Sequence, residues 1–151
     1  GERIIVHGRV ADFGSGAGLP GLPIAIARPD VEIVLIEPME RRSTWLEGLV
    51  SSLGLTNVTV IRARADEVPA EFAADVVTAR AVAGLSKLIP WVAPLARYEG
   101  ELLLLKGQGA EAEIEKATKQ IRRFHLDDVR VEELGQDLDI EPTRVVRAIV
   151  R

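Results

Sequence analysis

The chain has 151 residues, a formal net charge of −4 and no cysteine. This length is sufficient for one domain with a full hydrophobic core, and the lack of cysteine excludes disulfides and thiolate metal sites. No apolar run approaches the roughly 20 residues that span a bilayer, so we expect no membrane partner. The lack of cysteine fits a reducing cytoplasm, and we expect a cytoplasmic location. The negative charge argues against a globally basic nucleic-acid binder, although a local basic face remains compatible with it.

The first predicted unit is a strand, a glycine-rich turn, a helix and a second strand. Its segments are an apolar run at Val10–Phe13, glycines at positions 14, 16, 18 and 21, a helical pattern at Leu22–Ile26, and an apolar run at Val31–Ile36. This order is typical of a mononucleotide-binding unit, because glycines let the backbone approach a ligand and the helix N-terminus offers free N–H groups. We expect Glu37, at the end of the second strand, to accept the hydroxyls of a ribose.

The rest of the chain continues to alternate between strands and helices. Helices are predicted at Glu40–Leu53, at Leu85–Leu95 with Pro90 and Pro94 expected to break or kink it, and at Ala110–Phe124 as one charged, exposed helix. Further strands are predicted at Val58–Ile61, Ala74–Ala79, Glu101–Leu105, Val129–Leu134 and Val145–Val150. The sequence therefore predicts an α/β, Rossmann-like fold with a mostly parallel seven-stranded sheet, helices on both faces and an antiparallel C-terminal hairpin.

Acidic side chains follow the first three strands, at the edge where open α/β sheets bind ligands. Asp12 precedes Gly14 by two residues and suits either contact with an ammonium group or bracing of the turn. Asp66 follows the third strand, with Arg64 and Ala65 beside it. An acid-x-Gly-x-Gly-x-Gly run, followed by an acid about twenty residues later, is the signature of S-adenosylmethionine methyltransferases with a Rossmann-like fold. No cluster of metal ligands accompanies it.

The glycine run also fits a second class of enzyme. Residues 16–21 satisfy G-x-G-x-x-G, and Glu37 lies at a compatible distance, so an NAD(P)-binding oxidoreductase is an alternative. In that register the fingerprint starts two residues late relative to the strand, and the chain ends in a hairpin without a second, substrate-binding domain. A methyltransferase of the same fold with a non-RNA substrate is the other alternative.

Residues 12–21, Asp-Phe-Gly-Ser-Gly-Ala-Gly-Leu-Pro-Gly, together with Pro-Ile-Ala-Ile-Ala-Arg-Pro at 23–29, closely resemble the RsmG (GidB) family. The similarity continues through residues 40–42, 62–66, 78–82 and 104–107, and thus covers nearly the whole chain. Members of this family are bacterial methyltransferases of guanine N7 in small-subunit (16S) ribosomal RNA. The resemblance therefore implies that activity, with S-adenosyl-L-methionine as cofactor and 16S ribosomal RNA or the small ribosomal subunit as partner.

The resemblance also implies roles for individual residues. With Asp12, Gly16 and Gly18 from the glycine motif, the expected cofactor-binding residues are Asp12, Gly14, Gly16, Gly18, Leu19, Glu37, Ala65, Asp66 and Arg80. The basic positions expected to face RNA or the reaction centre are Arg41, Arg42, Arg64, Lys106 and Arg144. Arg80 and Lys106 are the expected catalytic residues. The family's N-terminal helical segment is expected to be absent. We expect residues 1–151 to form a single methyltransferase domain that acts as a monomer.

Overall fold

The computed structural model describes residues 8–14, 21–69, 71–80, 84–106, 109–134 and 143–151. The predicted site residues Gly16, Gly18 and Leu19 lie outside these ranges.

Within these ranges, seven strands form one sheet in the order β3-β2-β1-β4-β5-β7-β6. The strands are β1 (Arg9–Phe13), β2 (Glu32–Ile36), β3 (Val58–Ile61), β4 (Ala74–Arg80), β5 (Ala96–Lys106), β6 (Leu126–Leu134) and β7 (Thr143–Val150). The first five strands run parallel to one another, and β7 runs antiparallel to both β5 and β6. The predicted fold class is confirmed.

Helices cover the two faces of the sheet. They are α1 (Gly21–Ala27), α2 (Glu40–Leu53), α3 (Leu85–Val92), α4 (Ala110–Lys116) and α5 (Thr118–Arg123). One apolar core joins α1 and α2 to the β1–β3 side, with Ile33, Leu35 and Leu46 fully buried. The other core lies between the sheet and α3–α5, around Leu85, Ile89 and Leu102. No helix in the described part of the chain is long and apolar enough to cross a membrane.

The single helix predicted over Ala110–Phe124 is wrong, because the structure divides it at Ala117. Ala117 has φ −96° and ψ 8°, and its amide donates to the carbonyls of both Glu113 and Ile114. The residue is fully buried. The break lets both short helices pack against α3.

Proline and glycine also alter the predicted boundaries. Helix α3 continues through Pro90 to Val92, and a 3-10 turn at Ala93–Leu95 follows. Strand β5 begins at Ala96, five residues before the predicted start at Glu101. Gly100 permits this extension, because a Cβ there would lie 2.9 Å from the carbonyl oxygen of Arg97. The register with β4 also shifts between Ala74 and Val76.

Candidate cofactor cleft

The carboxyl ends of the parallel strands border a cleft of about 610 Å³. Its lining residues are Phe13, Gly14, Glu37, Pro38, Met39, Arg42, Arg64, Ala65, Asp66, Arg80, Leu88 and Trp91. The polypeptide reaches this edge at the ends of β1, β2 and β4 and in the segment after β3, which is why residues distant in sequence meet here. Seven of the predicted site residues are brought together: Gly14, Glu37, Arg42, Arg64, Ala65, Asp66 and Arg80.

Gly14 opens the cleft at the end of β1. Its φ of +72° lies in the left-handed region, where a side chain is strained. Its amide donates to the carbonyl of Ile36 at 2.8 Å, which joins the start of the turn to the end of β2. No described atom lies within 4 Å of the position a Cβ would take, so the backbone here is open to a ligand.

Asp12 connects elements on both sides of the segment 15–20. The residue is wholly buried, with Oδ2 accepting the amide of Gly21 at 3.0 Å and Oδ1 accepting the hydroxyl of Thr78 at 3.1 Å. These bonds tie the start of α1 to β1 and β4, across the ends of the segment 15–20. Of the two roles expected for Asp12, the contacts fit turn bracing, and direct cofactor contact stays a prediction.

Glu37 is the buried acid of the cleft. It is 2% exposed, and its Oε2 accepts the amide of Met39 at 2.9 Å. Its own amide donates to the carbonyl of Ile61 at 2.9 Å, which fixes the backbone against β3. Among the described side chains, no cation forms an ion pair with Glu37. A buried carboxylate held by a backbone amide rather than a cation is suited to accepting neutral hydroxyl groups.

Ala65 and Asp66 lie in a 3-10 turn, Ala65–Glu67, directly after β3. Glu67 stabilises this turn, since its Oε1 accepts the amide of Arg64 at 2.7 Å. Asp66 pairs with the Arg64 guanidinium at 3.4 Å, with both side chains more than 70% exposed. Such an exposed pair contributes little to stability, so a ligand can replace it at low cost. The described residues contain no group of three or more metal-ligating side chains.

The predicted basic residues separate into two groups. Arg42, Arg64 and Arg80 are exposed and line the cleft, and Arg41 is exposed beside Arg42 on α2. Lys106 and Arg144 lie instead at the ends of β5 and β7, as direct partners in the strand register.

Each cation of the second group has acidic neighbours. Lys106 Nζ lies 3.8 Å from Glu113 Oε1, whereas Arg144 pairs with Glu111 and lies 3.9 Å from Glu133. The structure thus places these two cations apart from the cleft lining and beside carboxylates.

Sequence reasoning missed the apolar walls of the cleft. Met39 and Trp91 are 53% and 42% exposed, and the rings of Trp91 and Phe13 pack with centroids 6.1 Å apart. A signal was available for Trp91, because it is an exposed aromatic residue in a helix whose other apolar side chains, Leu85, Leu88, Ile89 and Val92, are buried. The sequence does not indicate which ligand surface Trp91 would contact, because that contact depends on the tertiary structure.

Comparison with known proteins gives a consistent family match. The GidB family profile, described as rRNA small subunit methyltransferase G, matches residues 3–141. A protein of Clavibacter michiganensis subsp. michiganensis, named Ribosomal RNA small subunit methyltransferase G, is 60% identical over 143 residues. The alignment covers 95% of this chain and 68% of that protein.

Solved structures share the fold at low sequence identity. A predicted O-methyltransferase of Agrobacterium tumefaciens superposes with a TM-score of 0.77 at 18% identity, covering 99% of this chain and 76% of that one. A SAM dependent methyltransferase of Aquifex aeolicus gives a TM-score of 0.72 at 19% identity, covering 97% of this chain and 84% of that one. These likenesses establish the architecture.

Proposed function

The chain belongs to the GidB family, rRNA small subunit methyltransferase G, and we propose that it methylates N7 of a guanine in small-subunit (16S) ribosomal RNA with S-adenosylmethionine as methyl donor. One observation carries the proposal: a buried acid, Glu37, and an open glycine backbone, Gly14, lie in the same cleft. A buried carboxylate can accept ribose hydroxyls and an open backbone can approach a charged amino-acid chain, so together they suit a nucleoside that carries such a chain. The relatives give no support to the oxidoreductase alternative, since each is named a methyltransferase.

The cleft residues fit S-adenosylmethionine. Glu37 would accept the ribose hydroxyls, because its carboxylate has a backbone donor and no described ion-pair partner. Gly14 would let the donor's amino-acid end approach the backbone, where a Cβ would be strained at φ +72°. The Ala65 and Asp66 turn would contact the edge of the adenine. The apolar surfaces of Met39 and Leu88 complete a site of mixed character.

The proposed reaction needs positioning rather than a general base. S-adenosylmethionine supplies an electrophilic methyl group on its sulfonium, and N7 of guanine has a free lone pair that loses no proton on methylation. Holding the two reactants in line can contribute on the order of 7–11 kcal/mol. Arg80, exposed at the carboxyl end of β4, is the residue we propose to orient the target base or the cofactor.

Cations around the cleft supply the RNA contacts in this proposal. Arg42 and Arg64 line the cleft and Arg41 is exposed beside them, so phosphates of an entering strand would meet guanidinium groups. Lys106 and Arg144 form the second group, in which RNA would have to compete with Glu113, Glu111 and Glu133. We further propose that residues 1–151 act as one monomeric domain.

The test is methyl transfer from labelled S-adenosylmethionine to small ribosomal subunits from a bacterium lacking this modification, with large subunits as the substrate control. The proposal predicts label in small-subunit RNA that digests to N7-methylguanosine. Arg80→Ala should lower the rate by about a hundredfold if Arg80 orients a reactant, whereas Arg130→Ala on β6 should leave it unchanged. Label in another nucleoside, in protein or in large subunits would contradict the proposal.

A further inference from the structure

A side chain of another helix accepts a hydrogen bond from the N-terminus of helix α3. Its N-cap residue is Gly84, which has no side chain to accept the free amides of the first turn. Glu113 of α4 takes that role, with Oε1 accepting the amide of Leu85 at 3.0 Å. Leu85 is 1% exposed, so its amide would otherwise lie away from water at a cost in free energy.

Gly84 and Glu113 are sterically matched. A Cβ at position 84 would lie 3.2 Å from Glu113 Oε1, tighter than ordinary van der Waals contact. The glycine therefore makes room for the carboxylate that caps the helix. A second bond joins the same two helices, from the hydroxyl of Ser86 to the carbonyl of Lys116 at 3.1 Å.

The same carboxylate oxygen faces Lys106. Lys106 Nζ lies 3.8 Å from Glu113 Oε1, and the two side chains are only 17% and 20% exposed. Partial burial reduces solvent screening, so added salt should weaken this ion pair less than it weakens the exposed pairs of the surface. Lys106 ends β5, one residue after Leu105, which pairs with Arg80 in the register.

Glu113 thus connects helix α3 and Lys106 through one oxygen atom. It holds the start of α3, whose Leu88 and Trp91 line the cleft. It also faces the ammonium of Lys106. We infer that Glu113 is a positioning residue for methyl transfer, setting the Lys106 ammonium and the α3 wall of the cleft relative to each other. This inference rests on the proposed function.

Two substitutions separate the two contacts. Glu113→Gln keeps an oxygen that can accept the Leu85 amide but removes the charge that faces Lys106, whereas Glu113→Ala removes both. Glu115→Gln is the matched control, since Glu115 is exposed on the same helix and undergoes the same change of charge. The measurements are the affinity for S-adenosylhomocysteine by calorimetry, Tm, and kcat and KM with small ribosomal subunits.

We expect Glu113→Ala to weaken S-adenosylhomocysteine binding about fivefold and to lower Tm, because a buried amide loses its acceptor. Glu113→Gln should keep the wild-type affinity for S-adenosylhomocysteine and the wild-type Tm. Its kcat should be about tenfold below wild type, and its KM for the small ribosomal subunit should not rise. In a Lys106→Met background, Glu113→Gln should cause no further loss, as expected for two side chains that act through one contact. The Glu115→Gln protein should match wild type throughout.

Other outcomes overturn the inference. A Glu113→Gln protein with wild-type kcat, or losses of activity that follow Tm in both variants, would show a structural cap only. If Glu113→Ala does not fold, Glu113→Gln and its combination with Lys106→Met decide the question. If the wild type binds S-adenosylhomocysteine but transfers no methyl group, the proposed function fails, and equal affinity in wild type and Glu113→Ala would then refute the α3 contact separately.

Discussion

At the scale of single residues, Asp75 shows how one carboxylate joins three strands at the edge opposite the cleft. Its Oδ2 accepts the amide of Arg9 at 2.7 Å, and its Oδ1 accepts Nε of Arg97 at 2.6 Å. Burial alone raises the pKa of Asp75, but the hydrogen bonds and positive charges of Arg9 and Arg97 outweigh it and hold the pKa below its ordinary value. The ionised form is therefore favoured by folding.

This lowered pKa predicts a pH-dependent stability. Because the folded pKa lies below the unfolded value of about 3.9, the contribution of Asp75 is present above that pH and is lost as the pH falls through the folded pKa. Asp75→Asn should lower the free energy of unfolding by about 1 kcal/mol at pH 7, with the difference shrinking below about pH 4. Urea unfolding at several pH values measures it, with exposed Glu71→Gln as the control. A difference in the free energy of unfolding between Asp75→Asn and wild type that stays constant down to about pH 2.5 would refute this pH dependence.

Individual site residues differed in how far the sequence could predict them. Glu37 was predictable, because its position after an apolar run and a glycine turn fixes it at the carboxyl end of β2. The bracing role of Asp12 was one of two options, and its bond to Thr78 depends on the pairing of β1 with a strand 66 residues away. Trp91 and Met39 were missed, because a local pattern does not indicate which exposed apolar side chains share a cleft.

At the scale of elements, α1 packs so closely on the sheet that its first residue must be glycine. A Cβ on Gly21 would lie 2.4 Å from Cδ2 of Leu35 and 2.8 Å from Oδ2 of Asp12. That same Asp12 oxygen accepts the Gly21 amide, so moving it would also weaken the bond that begins the helix. Gly48 provides a contrast, because it is exposed in α2 and no described atom lies within 4 Å of the place where its Cβ would be.

Replacing each of these two glycines with alanine should change the free energy of unfolding in opposite directions. Gly21→Ala should lower the free energy of unfolding by about 1–3 kcal/mol through overpacking, and should weaken S-adenosylmethionine binding because the turn is displaced. Gly48→Ala should raise the free energy of unfolding by about 0.5–1 kcal/mol, since alanine restricts the unfolded chain and favours the helix. Chemical denaturation of both variants tests this, and equal effects would argue against the packing described for α1.

Element boundaries were predictable where a single local cause sets them. Gly54 ends α2 with φ +66°, directly after the predicted last residue Leu53. The division at Ala117 was not predictable, because Ala110–Phe124 has continuous helical character and the break depends on packing against α3. The early start of β5 likewise depends on pairing of Ala96 with Ala74 in β4.

At the scale of the whole molecule, an acidic chain presents basic residues at its cleft. The net charge is −4, yet Arg41, Arg42, Arg64 and Arg80 are exposed together in or beside the cleft. Strand β6 lies at the far edge of the sheet. Its Arg130 forms ion pairs with Asp128 and Glu132. The net charge of the whole chain therefore does not indicate the basic residues that are grouped at the cleft.

This distribution predicts how salt affects RNA binding. Arg64→Ala should reduce the slope of log affinity against log salt concentration by about one, as expected for loss of one phosphate contact. Arg130→Ala, which removes the same charge from β6 at the far edge of the sheet, should leave the slope unchanged. Filter binding of 16S ribosomal RNA over a range of salt concentrations gives both slopes, and an equal reduction in the two variants would indicate a general charge effect.

We propose that the cleft binds S-adenosylmethionine through Glu37. The most direct measurement is calorimetric titration of the wild type, Glu37→Ala and Glu32→Ala with S-adenosylmethionine and, separately, with NADH. We predict saturable binding of S-adenosylmethionine alone, weakened at least about tenfold by Glu37→Ala because a hydrogen bond to a charged group is lost. Glu32→Ala, at the other end of β2, should bind as the wild type does. Binding of NADH, or S-adenosylmethionine binding that does not depend on Glu37, would contradict the account.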